Sequence, residues 1–135
     1  VMMVVCNEPT SVADAYAEMK VLSNDYGVNR FHIIGNNLRS LQEGKTMFAK
    51  LLAVTGRFLN VTLELTACIP ADPAVRNAIR QRSCAVEQYP QSPAAKIFKL
   101  LAARVMQWPV PDLPGGHLQF FVENLVRHEN DAAES

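Results

Sequence analysis

The sequence predicts an α/β protein in which a parallel sheet of about three strands carries helices on both faces. Apolar runs alternate along the chain with stretches whose apolar residues repeat at helical spacing, which gives the order βαβαβα. The first run, VMMVVC, is continuous rather than alternating, as in strands that helices cover on both faces. Short polar connections between these elements favour parallel strands joined by crossover helices.

Composition limits the classes of protein that fit this chain. With 135 residues, 49% of them hydrophobic, the chain is long enough for one folded core, and 13 basic residues balance 13 acidic ones. The net charge therefore creates no overall electrostatic field that would favour binding to nucleic acid or to an anionic bilayer. The three cysteines form no metal-binding or CxxC spacing, no apolar run approaches the roughly 20 residues of a membrane span, and no signal-peptide pattern is present. We expect a reduced, cytoplasmic protein.

The first helix is predicted directly after the first strand. Thr10 or Ser11 is expected to cap it, and Asp14 lies three residues after Ser11, in the position of a capping box. The helix is expected to run to about Asp25 and to end at Gly27.

The second strand is predicted at RFHIIG, followed by the polar loop NNLRSLQEG and a helix. The apolar positions of that helix repeat with a period of 3.6 and comprise Met47, Phe48, Leu51, Leu52, Thr55 and Phe58. A third strand, VTLELTACI, is expected to stop at Pro70 because proline cannot donate to a strand ladder. Asp72 and Pro73 then suit the cap and first position of a short helix.

The last predicted helix is SPAAKIFKLLAARVMQW, after a loop that holds Tyr89 and Pro90. Ser92 can cap it and Pro93 suits its first position, and its apolar stripe comprises Ile97, Phe98, Leu101, Val105 and Trp108. We expect a domain over residues 1–112 and a separate amphipathic segment and tail over residues 113–135.

No complete catalytic motif is present in the sequence. The chain lacks the Walker P-loop, the G-x-G-x-x-G loop, H-E-x-x-H and G-x-S-x-G. The histidines are not spaced to share a metal, and Cys6 and Cys68 lie in apolar strands, where a thiol behaves as a small hydrophobe. Because ligands of parallel sheets bind beyond the carboxyl ends of the strands, the polar residues at those ends are the candidates for a site.

Several longer motifs add a family resemblance. The stretches CNEPTSVADAY, NRFHIIGNNLRSLQEG, MFAKLLAVTGRFL, IPADPAVRNAI and PGGHLQFFVENLV together resemble the carboxyl-terminal half of MinD/ParA-class ATPases. Within that class they are most similar to the flagellar-number regulators of the FlhG/FleN type, and the resemblance covers nearly the whole chain. The EPTS-xx-DAY and S-xx-EG segments are particular to this group.

The resemblance implies a partial P-loop NTPase, or MinD-like, fold that begins in the middle of the family's sheet. In the family, the deviant Walker A loop and the Walker B aspartate precede the strand that matches VMMVVC. The complete family member would bind ATP or ADP with Mg²⁺. This chain alone is predicted to be inactive, because it carries no phosphate-binding lysine and no Mg²⁺ ligands of that kind.

Five residues are implied to lie at the nucleotide base. Asn36 matches the asparagine that bonds the adenine edge, a task that suits the adjacent donor and acceptor of a carboxamide. Asn37 stands where relatives often have an arginine or methionine that could stack. Pro70, Ala71 and Asp72 match a loop whose backbone lines the base pocket, although Asp72 could equally serve only as a helix cap.

Two functions follow from the sequence. In the first, the chain is the adenine-binding portion of an ATPase that regulates flagellar number, with a flagellar GTPase and regulatory or switch proteins as implied partners. In the second, it is a stand-alone protein-interaction module that binds no nucleotide. We expect a homo-oligomer formed through the exposed first strand. Direct nucleic-acid contact is not expected. The acidic rim of the carboxyl-terminal segment disfavours membrane contact, so the cytoplasm is preferred over the inner membrane or cell pole.

Overall fold

The computed structural model describes residues 1–109, which form a three-stranded parallel sheet in the order β1-β2-β3 with helices around it. This confirms the predicted α/β fold. The elements are β1 (Met2–Cys6), α1 (Pro9–Tyr26), β2 (Arg30–Leu38), α2 (Leu41–Phe58), β3 (Thr62–Pro70), α3 (Pro73–Arg80), α4 (Ala85–Gln88) and α5 (Pro93–Met106).

The chain divides into two compact units, Val1–Val105 and Met106–Ser135. The sheet and nearly all of the described helices belong to the first unit. The predicted boundary at residue 112 and the predicted amphipathic segment of residues 113–135 lie outside the described residues. None of the helices within residues 1–109 has the length and apolarity that crossing a bilayer requires.

One face of the sheet packs against α1 and α2. Side chains alternate between the faces of a strand, so Met3 and Val5 of β1 lie on the same side as Phe31 and Ile33 of β2. They form a buried cluster with helix residues that include Met19, and partly buried apolar residues surround it. Burying each large side chain of this kind contributes about 1.5–3 kcal/mol, so this cluster is the main source of hydrophobic stabilisation.

The opposite face packs against α5 and α3. Ile34 of β2 and Ile69 of β3 form a second buried cluster with Ala94, and Val75 and Ile97 pack against it. The guanidinium of Arg104 donates from α5 to the main-chain oxygen of Thr66 in β3. Helices thus cover both faces of the sheet over β2 and β3, as the sequence predicts.

The expectation that helices cover β1 on both faces is wrong for the described residues. Met3 and Val5 are buried, but Met2 is half-exposed and Val4 is 62% exposed. These two side chains point to the second face, where α5 covers β2 and β3 but no described helix reaches β1. A continuous apolar run therefore marks a strand with one covered face and one uncovered face.

The expected amino-terminal cap of α1 is also wrong. The helix begins at Pro9, with Glu8 as the capping residue and no side-chain hydrogen bond at the cap. The hydroxyl of Ser11 instead accepts a hydrogen bond from the backbone nitrogen of Cys6 at 3.0 Å. The Ser11 hydroxyl thus bonds to the end of β1 and does not cap the helix. The predicted end is confirmed, because Gly27 has a φ of 67° and closes the helix.

Helix α2 begins earlier than predicted and buries a narrower stripe. Its first residue is Leu41, since Ser40 caps it by accepting a hydrogen bond from the nitrogen of Glu43. Of the predicted stripe, Leu52 is 43% exposed and Phe58 is 67% exposed. The ring of Phe58 contacts Tyr16 of α1 edge to face, with 6.3 Å between the ring centroids. The short helix α4 falls within the segment that the sequence predicts as a loop.

A glycine lets α2 approach the sheet closely at the carboxyl ends of the strands. A Cβ atom added to Gly44 would lie 2.8 Å from both the Sγ atom of Cys68 and the Cδ1 atom of Leu38. Gly56, in the last turn of the same helix, has open space at this position. The absence of a side chain is therefore a packing requirement only at Gly44.

Substituting the two glycines tests this close approach. Gly44→Ala should lower the free energy of unfolding by about 1–3 kcal/mol, because the added methyl group pushes the helix from the sheet. Gly56→Ala, the matched control, should raise it by about 0.5–1 kcal/mol, since alanine is the better helix former and meets nothing. Urea denaturation measures both. Equal effects of the two substitutions would contradict this account of the packing.

Candidate functional site

An open cleft of about 420 Å³ lies at the carboxyl ends of β2 and β3. Such edges of parallel sheets are where ligands bind, and this volume lies in the range of small-molecule sites. The cleft is lined by residues from the end of β2, the loop after β3 and one side of α3, namely Asn37, Ala71, Asp72, Pro73, Arg76, Asn77 and Arg80. It is a polar and locally cationic site.

A bulge in β2 forms one wall of the cleft. Gly35 pairs with Cys68 and Leu38 pairs with Pro70, so β2 carries one residue more than β3 between these pairs. Asn37 takes up the extra length with a φ of 54°, a conformation that asparagine tolerates better than most residues. The side chain of Asn37 is exposed at the cleft as a result.

The structure brings three of the five residues implied at the base together. Asn37, Ala71 and Asp72 line the cleft, and the backbone nitrogen of Ala71 is fixed by a 2.7 Å hydrogen bond to the oxygen of Leu38. Asn36 is half-buried in β2, paired with Cys6 of β1, and is not among the lining residues. Pro70 lines a neighbouring apolar groove.

Three cleft residues of α3, Arg76, Asn77 and Arg80, are not among the residues that the sequence predicts for the site. Asn77 and Arg80 follow Arg76 by one and four residues, which places all three towards one side of the helix. The signal was available, since Asp72 and Pro73 already predict the start of that helix and hence its phase. What the sequence did not show is that this side of α3 faces the end of β2.

The carboxylate of Asp72 caps two helices at once. Its Oδ1 atom accepts a hydrogen bond from the nitrogen of Ala74 at 2.9 Å, at the start of α3. Its Oδ2 atom accepts one from the nitrogen of Ala94 at 3.0 Å, at the start of α5. The bonds from Ala94 and then Ala74 hold the pKa of this carboxyl below its usual range. The side chain of Asp72 therefore has a structural role beside any role at the cleft.

A second carboxylate ties β1 and β2 to the start of α2. Glu43 Oε1 accepts a 3.0 Å hydrogen bond from the amide of Asn7, and Oε2 accepts from the nitrogen of Arg39. These bonds, that of Asn7 foremost, lower the pKa of Glu43. Ser40 accepts a hydrogen bond from the nitrogen of Glu43, but the Glu43 carboxylate bonds to the nitrogen of Arg39 rather than that of Ser40. The S-x-x-E segment is therefore a variant of the capping box, shifted by one residue. The two motifs CNEPTS and SLQEG thus touch.

Other reactive groups are not gathered into a site. Within residues 1–109, no three or more His, Cys, Asp or Glu side chains are grouped in a way that could hold a metal ion. Burial raises the pKa of the Cys68 thiol, which packs against Gly44 as part of the interior. The cleft is therefore the strongest candidate site in the described part of the chain.

The fold and the position of the cleft define an α/β protein of the parallel-sheet class, consistent with part of a P-loop NTPase-like fold. No protein-family model matches the chain. The chain is 48% identical over 128 residues to the antiactivator FleN of Pseudomonas aeruginosa. The match covers 95% of this chain and 46% of the relative, so the chain spans about half the length of the curated relative it matches. This confirms the predicted resemblance. Over the part that it spans, the chain is similar to a protein of the FlhG/FleN group, which is of MinD/ParA type.

The double cap by Asp72 predicts a pH-dependent difference between the natural chain and Asp72→Asn. Because the pKa of this carboxyl is lowered on folding, its contribution to stability is complete above the ordinary aspartate pKa of about 3.9. The contribution is lost as pH falls below that value and through the lower folded pKa. Asp72→Asn should thus be the less stable protein at neutral pH, since an amide oxygen can replace only one acceptor.

Urea denaturation over a range of pH measures this difference. The difference in the free energy of unfolding between the two proteins should shrink steadily below about pH 4, where the natural carboxyl becomes protonated. Asp14→Asn, at an exposed position of α1, is the control and should show no such narrowing. A difference that stays constant down to pH 2 would refute the double cap.

Proposed function

We propose that this chain is part of an FlhG/FleN-type regulator of flagellar number and supplies the adenine-binding side of its nucleotide site. The match to the antiactivator FleN supports the first statement. The cleft supports the second, because it combines a strand-end asparagine with the loop that follows the next strand. The complete regulator would meet the flagellar GTPase and regulatory or switch proteins in the cytoplasm.

The chemistry of the cleft suits a nucleotide base. The exposed carboxamide of Asn37 offers a donor and an acceptor side by side, as the amino group and ring nitrogens of adenine require. The loop around Ala71 is held in place by its bond to Leu38 and by the capping bonds of Asp72, so its backbone is preorganised. Asn36 occupies the neighbouring position of β2 and is half-buried.

The arginines of α3 compensate for the absence of a stacking side chain at Asn37. Arg76 and Arg80 border the same cleft, and a guanidinium plane stacks well on an aromatic ring. The phosphates and Mg²⁺ need other groups. In ATP-bound family members these would come from the P-loop and Walker B regions, and this chain has no P-loop motif. We therefore propose that the chain by itself does not hydrolyse ATP.

Titration with ATP, AMP and adenosine, followed by amide NMR, tests the base site. We expect similar shifts for all three ligands at Asn36, Asn37 and Asp72. The affinity should be weak, with a dissociation constant on the order of 1 mM or above, because the base alone supplies at most about 4 kcal/mol. Asn37→Ala should reduce the shifts, whereas Asn60→Ala, in the loop after α2, should leave them unchanged. Absence of any amide shift at ligand concentrations several-fold above this dissociation constant would reject the base site.

The uncovered edge of β1 supports the second candidate function, a module for protein association. The oxygen of Val1 accepts a 2.8 Å bond from His32, and bonding alternates along a parallel strand. The backbone groups of Met2 and Val4 therefore point away from β2, towards the edge that no described strand occupies. At Cys6 the edge is closed by the bond to Ser11. We propose that two copies of the chain pair through this short edge.

Charge makes this association sensitive to salt. The groove beside β1 is bordered by the carboxylates Glu8, Asp14 and Glu18 and by no basic side chain. Pairing of two copies would bring two such rims together, and their repulsion falls as salt screens it.

Light scattering of the purified chain tests the pairing. We expect dimers that become more abundant with salt, and Val4→Lys should abolish them because a charge at an open edge blocks strand pairing. Val21→Lys, at an exposed apolar position of α1, should leave dimerisation unchanged. A monomer at every protein and salt concentration would reject this function and leave the base-site proposal untouched.

A further inference from the structure

A basic surface covers the outer side of α3 and the turn that follows it. We name it the α3 surface and define it by Arg76, Ile79, Arg80 and Arg82, all exposed. Ile79 and Arg80 follow Arg76 by three and four residues, so the three side chains lie towards one side of the helix. Residues 73–86 contain these three arginines and no acidic residue, although the chain as a whole has no net charge. The charge of the chain is thus distributed unevenly.

The positive charge of the α3 surface is not neutralised within residues 1–109. None of its three guanidinium groups forms a salt bridge in that part of the chain. Of the two flanking carboxylates, Asp72 commits both of its oxygens to the backbone of Ala74 and Ala94. The other, Glu87, forms no salt bridge with these arginines. The arginines therefore retain their capacity to bind an anionic group, as a planar guanidinium does well with carboxylates.

An apolar side chain stands among these arginines. Ile79 is 68% exposed, whereas Val75 and Ala78 of the same helix pack inwards. Nothing in the folding of α3 requires an isoleucine at this position, since its two inward residues already anchor the helix. An exposed aliphatic group beside arginines is typical of the contacts that contribute most to a protein interface.

The turn after α3 holds this surface in a defined shape. Arg82 has a φ of 53°, and its nitrogen donates to the oxygen of Ile79 at 3.0 Å. The nitrogen of Ser83 donates to Ala78 at 2.9 Å, and the hydroxyl of Tyr89 donates to the side chain of Gln81 at 3.3 Å. A prearranged surface loses less entropy when it binds a partner.

We propose that the α3 surface docks an acidic segment of a partner protein that carries a large apolar side chain. The carboxylates of the segment would pair with the arginines, and its apolar side chain would pack on Ile79. A nucleic acid would use the arginines but would gain little from Ile79, which is why a protein segment fits better. Arg76 and Arg80 also line the cleft, so a docked segment would compete with a nucleotide base for them. Ile79 and Arg82 lie outside the cleft, so their substitutions test docking independently of the base site.

Fluorescence anisotropy with synthetic peptides tests the docking. The probe is a labelled peptide of alternating glutamate and leucine, and the comparison peptide has serine in place of every leucine. Arg80→Ala and Arg82→Ala should each weaken binding of the leucine peptide by about two- to fivefold, as for exposed ion pairs. Ile79→Ser should weaken binding of the leucine peptide by about tenfold. The serine peptide should likewise bind the natural chain about tenfold more weakly than the leucine peptide does.

Matched variants separate this site from general charge and hydrophobicity. Arg57→Ala in α2 removes an exposed arginine side chain, and Val21→Ser in α1 removes an exposed aliphatic side chain. Both lie outside the α3 surface and should leave the affinity for the leucine peptide within about twofold of the natural value. All the substituted side chains are exposed, so circular dichroism should show unchanged folding. Equal binding by the natural chain and Ile79→Ser, or equal binding of the leucine peptide and a short DNA duplex, would overturn the proposal.

Discussion

The arrangement of this domain depends on the two hydrogen bonds that the carboxylate of Asp72 accepts. This carboxylate joins the amino-terminus of α3 to that of α5, two helices that are separated by 12 residues of chain. Through this bond the loop after β3, the helix at the cleft and the helix that covers the second face are fixed together. Each oxygen also meets the positive end of a helix dipole, which favours the charged form of the carboxyl.

The polar residues at the strand ends divide into structural and available groups. The side chains of Asn7, Glu43 and Asp72 form hydrogen bonds that join strands or their following loops to helices. Asn37 and the arginines of α3 have no such commitment within residues 1–109, and they are the residues that meet in the cleft. Most polar side chains at this edge therefore stabilise the fold, and the candidate site consists of the polar side chains that the fold leaves without hydrogen bonds.

Two exposed surfaces of opposite charge flank the core of the first unit. The groove at the edge of β1 is bordered by Glu8, Asp14 and Glu18, whereas the outer side of α3 carries only arginines as charged residues. Each surface also exposes an aliphatic side chain, Val4 in one case and Ile79 in the other. The neutral composition of the chain therefore conceals two regions that would select partners of different charge.

The sequence by itself determined the order of the elements, the parallel sheet, the end of α1 at Gly27 and the start of α3, because these follow from spacing and local backbone preference. It also carried the motifs of the FlhG/FleN group. The tertiary structure alone decided that Ser11 bonds to β1 rather than capping α1, and that Val4 is uncovered. It also decided that Asp72 reaches α5. These outcomes depend on groups distant in sequence, or on how far a covering helix extends, and no local pattern encodes either.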